Sequence, residues 1–280
     1  MGSWPVGDEH VTARKAAVLG RPIAHSRSPQ LHLAAYRALG LTEWTYDRIE
    51  CGADELPGLV SALGPEWVGL SVTMPGKIAA LNFATERTDR AVAIGSANTL
   101  VRIEDGWRAD CTDVDGVSGA LIAGGLGPVS GAEAVVVGAG GTARPALAAL
   151  ADLGVATVTV VARDAGRASS ALRLAESLGL DARLSGFDSR ELGTRCADAA
   201  VLVSTVPSVA ISEHTATLGR APFVLDAIYD PWPTPLARAV EDAGGRVVGG
   251  LEMLLHQAFG QVEQFTGLPA PRSAMAAALR

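Results

Sequence analysis

A chain of 280 residues has room for about two domains, and 48% hydrophobic against 19% charged residues makes it globular rather than disordered. Its 30 acidic and 23 basic residues leave a net charge of −7 with no basic run, which excludes a protein whose main task is gripping nucleic-acid phosphates. No apolar run approaches the roughly 20 residues of a membrane helix, and Met1 to Val11 lack the apolar stretch of a secretory signal. Three scattered cysteines, Cys51, Cys111 and Cys196, form no CxxC pair and suit a reducing compartment.

Residues 16–19 read as a strand closed by Gly20-Arg21-Pro22, and 29–39 as a helix with Ser28 as N-cap and Pro29 at its first position. Alternation predicts a strand over 44–49, a helix follows over 54–63, and 67–72 is a third strand. Strands separated by helices predict parallel α/β architecture. A helix over 113–123 leads into a Gly/Pro-rich link, 124–131, so a break near 112–131 separates two α/β lobes. Beyond it come a strand (133–137), a turn (138–141), an Ala/Leu helix (142–153), a strand (157–161) and a helix (165–178). Strands over 199–204, 222–226 and 246–248 follow, and helices over 253–265 and 272–279 close the chain.

Gly138-Ala139-Gly140-Gly141-Thr142-Ala143 fits G-x-G-x-x-A between a Val-rich strand and a helix, the context a dinucleotide fingerprint requires. Gly138 permits the tight turn, Gly140 lets backbone approach a pyrophosphate, and Ala143 lets helix pack on strand. The helix N-terminus there offers N–H groups and a positive dipole end to phosphates. At the tip of the next strand, Arg163 and Arg167 can both face the adenosine ribose and grip a 2′-phosphate, so NADP leads. Asp164 between them is either the N-cap of the following helix or a partner for the ribose diol of NAD.

Of the 23 basic residues only Lys15 and Lys77 are lysines, which sets Lys77 apart. Arginine is effectively never deprotonated, whereas a lysine can give and take a proton. Lys77 closes Val72-Thr73-Met74-Pro75-Gly76-Lys77 at the end of an apolar strand. Three more polar segments share its half of the chain: Pro22-Ile23-Ala24-His25-Ser26-Arg27-Ser28-Pro29, Ala97-Asn98-Thr99, and Thr112-Asp113 where the lobes meet.

Together with Asp226-Ala227-Ile228-Tyr229, Thr234-Pro235-Leu236 and the closing 250–257 segment, these motifs resemble, in order, the shikimate dehydrogenase family. The resemblance covers nearly the whole chain. It implies a two-lobed α/β fold: a substrate-binding lobe of 1–112 and 249–280, with the last helices returning to it, and a Rossmann NADP-binding lobe of 113–248. It implies reversible reduction of 3-dehydroshikimate to shikimate with NADPH, in the cytoplasm and in aromatic amino-acid biosynthesis, by a monomer or homodimer without a metal. Ser26 and Ser28 would bind the substrate carboxylate, with Tyr229 close by, and Thr73, Asn98 and Gln257 would hold the ring hydroxyls. Lys77 and Asp113 would be the catalytic pair. Met253 would sit against the nicotinamide, and Thr205 and Gly250 would complete the cofactor site. Within this superfamily the rivals are a quinate or aminoshikimate dehydrogenase preferring NAD, and outside catalysis a relative that only senses ligand.

Reaction chemistry supports these roles. Hydride reduction of a ketone builds negative charge on the carbonyl oxygen, which an ammonium stabilises and protonates. Where the family usually carries Asn this chain has Ser71, Cys111 and Leu33, and Cys111 brings an oxidisable thiol close to Asp113. Asp113-Val114-Asp115-Gly116 is no calcium loop, because Cys111 and Ile122 stand at ligand positions. The five histidines show no ligand spacing, so no metal is expected. His25 and Ser26 do not form a base–nucleophile pair if they are neighbours on a strand, where adjacent side chains oppose each other.

Overall fold

A computed structural model describes residues 13–280, the side chain of Arg167 excepted; the reading of Met1 to Val11 lies outside the described residues. The first lobe runs β1 (Lys15–Gly20), α1 (Ser28–Ala38), β2 (Thr45–Glu50), α2 (Leu56–Ser61), β3 (Trp67–Val72), α3 (Lys77–Phe83), β4 (Glu86–Arg87), α4 (Asp89–Ile94), β5 (Thr99–Ile103) and β6 (Gly106–Asp110). Its sheet is ordered β2-β1-β3-β5-β6-β4. It is mixed rather than all parallel, because β5 runs antiparallel to both β3 and β6. The reversal is local: Glu104 and Asp105 form a two-residue hairpin loop, and Gly106 after it adopts φ 138°. α1 starts at Ser28 itself, so Ser28 is not the cap; the Ser26 hydroxyl instead accepts the Ser28 N–H at 3.3 Å.

After α5 (Asp113–Ala123) the second lobe runs β7 (Glu133–Val137), α6 (Ala143–Asp152), β8 (Thr157–Val161), α7 (Ala165–Ser177), β9 (Asp181–Ser185), α8 (Leu192–Asp198), β10 (Val201–Ser204), α9 (Thr215–Leu218), β11 (Phe223–Asp226), α10 (Pro235–Asp242) and β12 (Arg246–Gly249). Its order β12-β11-β10-β7-β8-β9 is wholly parallel, and the order reverses between β7 and β10. That reversal opens a crevice at the carboxyl ends of the strands, where doubly wound sheets take their ligands. α11 (Gly250–Thr266) then carries the chain back, and α12 (Arg272–Ala277) ends it.

The lobes share one apolar core, running from Leu70 and Leu100 of the first sheet through Val117 and Leu121 of α5 to Leu147 of α6 and Val136 of β7. α5 and α11, the two helices that join the lobes, lie against each other. Gly116 and Gly119, one turn apart on α5, form the seam: a Cβ at Gly116 would meet the Met253 carbonyl at 2.8 Å, and one at Gly119 the His256 ring at 2.2 Å. Side chains at either position would push the joining helices apart.

Beneath the first sheet a smaller core closes around His32, which is fully buried. Its ring stacks on Tyr46 (4.0 Å between centroids) and Phe265 (5.6 Å), and Nε2 lies 3.3 Å from Gln261 Oε1. Burial lowers this imidazole to about 3, outweighing the hydrogen bond it donates to Gln261, which favours its charge. The folded chain therefore keeps His32 neutral, while the unfolded chain protonates it below its ordinary value near 6.5. Stability from this source is intact above about pH 6.5 and falls as pH drops toward 3; at pH 5 the loss is about 2 kcal/mol. Chemical denaturation of the wild type and of His32→Leu at pH 7.5 and 5 checks this: the acid penalty should be smaller in the variant by about that amount.

Candidate active site

Lys77 opens α3 after the short 73–76 turn that follows β3, and Asp113 opens α5 three residues past the end of β6, so the two strand ends bring the side chains together. Lys77 Nζ donates to Asp113 Oδ2 at 2.5 Å, with only 14% and 7% of the side chains exposed. The other carboxylate oxygen accepts from Asn98 Nδ2 at 3.1 Å. The same nitrogen contacts Gln257 Oε1 (3.1 Å), while Asn98 Oδ1 accepts the Thr112 N–H (2.8 Å). Cys111 stands two residues before Asp113 and is fully buried. Burial, aided by the Asp113 charge, pushes its thiol up to about 12, which disfavours the reactive thiolate.

This pair lines a cavity of about 320 Å³ between the lobes, together with Ser28, Thr73, Asn98, Tyr229 and Gln257 from the substrate side and Thr142, Thr205, Gly250 and Met253 from the other. Burial raises the Tyr229 phenol, with help from Asp230, and keeps it a neutral hydroxyl. Ser26 is not on the cavity wall: its hydroxyl holds the Ser28 N–H, and its carbonyl accepts two bonds from Arg48, at 2.9 and 2.6 Å. His25 and Ser26 lie in a turn, not on a strand. His25 Nδ1 lies 3.7 Å from Asp230 Oδ2, in the loop that carries Tyr229.

A second cavity of about 380 Å³ follows the Gly-rich turn and is walled by Gly138, Gly140, Arg163, Asp164 and Phe187; Pro207 lines both cavities, which makes them neighbours along one trough. Gly138 adopts φ 111°, and a Cβ there would lie 2.4 Å from the Thr205 hydroxyl. Thr205 in turn donates to the Val137 carbonyl at 2.8 Å. Gly140 is exposed and a Cβ there would meet nothing within 4 Å, so its backbone is open to a ligand. Gly141 brings the turn to the reacting pair, since a Cβ on it would lie 3.7 Å from Lys77 Cδ. Ala143 is fully buried at the start of α6, and the Thr142 side chain does not cap that helix. This cradle fits a dinucleotide. The side chain of Arg167 lies outside the described residues. Among those residues no three His, Cys, Asp or Glu side chains gather as metal ligands.

Sequence reasoning missed Ser71, Tyr46 and Gln261. Tyr46 donates to Ser71 Oγ (2.6 Å), which donates to Gln261 Oε1 (2.7 Å), and both Ser71 and Gln261 line the substrate-side cavity. The signal for Gln261 was its spacing, four residues beyond Gln257 on one face of α11. Tyr46 carried no such signal, because its role appears only when β2 and β3 flank β1 in one sheet.

The sequence profile of the "Shikimate dehydrogenase substrate binding domain" matches residues 18–100, and that of the "Shikimate 5'-dehydrogenase C-terminal domain" matches 250–280. The "Shikimate dehydrogenase (NADP(+))" of Anaeromyxobacter dehalogenans is 36% identical over 278 residues, spanning 96% of this chain and 97% of that protein. The "Pentafunctional AROM polypeptide" of Candida tropicalis is 33% identical across 93% of this chain, which spans only 18% of that longer protein. Among solved structures, the Mycobacterium tuberculosis shikimate dehydrogenase matches with a TM-score of 0.90 and 62% identity, covering 95% of this chain and 98% of that one. The Thermus thermophilus shikimate 5-dehydrogenase in complex with NADP(H) and shikimate matches with a TM-score of 0.79 and 31% identity, covering 95% and 98%.

Two glycines with opposite surroundings give a paired test. Gly140→Ala should leave the Tm within about 2 °C, since nothing is displaced, yet weaken dinucleotide affinity about tenfold. Gly250→Ala should cost about 1–3 kcal/mol in denaturant titration, because a Cβ there would lie 2.1 Å from the Ala227 carbonyl.

Proposed function

The chain belongs to the shikimate dehydrogenase family, and on that premise we propose that it interconverts 3-dehydroshikimate and shikimate with NADP(H), Lys77 and Asp113 handling the proton. The observation that carries this reading is the 2.5 Å contact of a largely buried ammonium and carboxylate on the wall of a cavity that continues into a dinucleotide cradle. In the division that follows, the first sheet with α11 and α12 binds substrate, and the second sheet, within 113–248, binds NADP.

Bound in the cradle, NADPH would supply the hydride. As the ketone carbon gains it, the carbonyl oxygen gains charge, and Lys77 Nζ stabilises that charge and gives up a proton to make the hydroxyl. Asp113 holds the ammonium in place and offsets its burial; in the oxidative direction Lys77 takes the hydroxyl proton as the hydride leaves. An arginine at 77 could stabilise the oxyanion but could not release its proton. Asn98 and Gln257 face the substrate ring, as does Thr73, while Ser28 and the neutral Tyr229 hydroxyl take the carboxylate end with Ser26 behind them. Along the other cavity, Gly138, Gly140, Gly141 and Ala143 would hold the pyrophosphate, Arg163 and, on the sequence reading, Arg167 would take the 2′-phosphate, and Met253, Thr142, Thr205 and Gly250 would flank the nicotinamide.

All of these groups come from one chain, so turnover needs no second subunit, whether the protein is a monomer or a homodimer. A cytoplasmic setting in aromatic amino-acid biosynthesis agrees with three cysteines that are all free and buried. No helix among the described residues is long and apolar enough to cross a membrane.

NADPH formation from shikimate, run beside NAD and quinate, tests the assignment; no turnover with any pair by folded protein would sink it. Lys77→Ala should lower kcat about 10²–10⁴-fold, and Lys77→Arg should not restore it. Arg163→Gln should raise the KM for NADP about tenfold while leaving that for NAD nearly unchanged, because one charge-assisted phosphate contact is lost.

A further inference from the structure

Arg144 is the second residue of α6, directly behind the Gly-rich turn, and is half-buried. One arm of its guanidinium, Nη1, donates to the Ile94 carbonyl at 3.2 Å; the other, Nη2, donates to the Ser170 hydroxyl of α7 at 2.7 Å. Ile94 is the last residue of α4, in the first lobe, and carbonyls at a helix end lack donors of their own. Gly95 follows at φ 75°, and a Cβ there would lie 2.7 Å from Arg144 Nη1, so the space beside the carbonyl is kept for the guanidinium. Three residues beyond Ile94, the Ala97 N–H donates to the Lys77 carbonyl at 2.9 Å. One residue further, the Asn98 amide holds Asp113. The short segment 94–98 is therefore fixed at one end to the nucleotide-side helix and at the other to both members of the reacting pair.

We propose that Arg144 is a positioning residue: it clasps the cofactor-binding lobe to segment 94–98 and so sets where Lys77 and Asp113 stand relative to the bound dinucleotide. The proposal rests on the dehydrogenase reading above. The planar fork suits the task because it reaches two acceptors on separate elements at fixed geometry, whereas a lysine would reach one. Hydride transfer is sensitive to small misplacements of the reacting groups, so a clasp far from the chemistry shows in kcat more than in cofactor affinity.

Hydrogen exchange and steady-state kinetics on the full chain test this with Arg144→Met, Arg144→Lys and Ser170→Ala. In Arg144→Met the amides of Ala97 and Asn98 should exchange about tenfold faster while those of β7 and β8 keep their protection. In the same variant kcat should fall about 10- to 100-fold and the Kd for NADP should move by less than about threefold. Arg144→Lys should recover part of kcat, and Ser170→Ala, which leaves the bond to Ile94, should lose less than Arg144→Met. Unchanged exchange at 97 and 98 in a folded variant, or a loss confined to NADP affinity, overturns the proposal. Should Arg144→Met fail to fold, Arg144→Gln, polar but too short to span to Ile94, decides it: faster exchange at Ala97 supports the clasp and wild-type exchange overturns it. The exchange arm needs no turnover, so an inactive wild type would count against the reaction and leave the clasp to be judged separately.

Discussion

The side-chain amide of Asn98, 3% exposed, is the point on which the site closes. Its oxygen accepts from the Thr112 N–H (2.8 Å) and the Thr99 hydroxyl (3.0 Å), and its nitrogen serves Thr112, Asp113 and Gln257 within 3.1 Å. A buried amide left without partners costs several times what one satisfied bond returns, so such a group tolerates only one arrangement of its neighbours. Here the neighbours are the start of β5, the start of α5 and the first turns of α11. Groups nearly 160 residues apart in sequence are thereby held to hydrogen-bond tolerance before any ligand arrives.

Charge is managed with similar economy around Asp113. Asp110, three residues earlier and 3% exposed, would place a second carboxylate in the same neighbourhood. Burial would raise it, but the Arg90 fork, with Thr88 and Gln264, outweighs burial and holds it down at about 2. Arg90 also reaches Asp115 at 2.8 Å. Arginine neutralises the structural acid Asp110, where a permanent charge and bidentate geometry are useful, and the single lysine lining the cavity is the one paired with Asp113. The skew in cation usage visible in the composition thus has a spatial counterpart.

Valine-rich strands such as 133–137 and 157–161 were legible because a strand buried on both faces is built almost wholly from β-branched and apolar residues. β9 was not: Asp181–Ser185 lies mostly exposed at the sheet edge, and its polar/apolar alternation rests on only two apolar residues, Ala182 and Leu184, too short a pattern to stand out from a loop. The β5–β6 hairpin was missed because Glu104-Asp105 lacks the usual glycine within the loop, the glycine falling one place later. In the site, residues with unusual chemistry for this chain, Lys77 above all, could be picked out by type alone. Gln261, Tyr46 and Arg144 could not, because their roles depend on which elements meet in space and common side chains carry no mark of that.

The seam of Gly116 and Gly119 that lets α5 lie close on α11 has a mechanical consequence. The chain passes between lobes twice, once along each of these helices, and the passages run side by side. Two stiff struts in contact resist shear and torsion between the bodies they join but yield to bending across their common line. Paired in this way, the struts oppose slip of the trough's two walls past each other, so the register between the substrate side and the cofactor side is set by the helix seam rather than by either lobe alone.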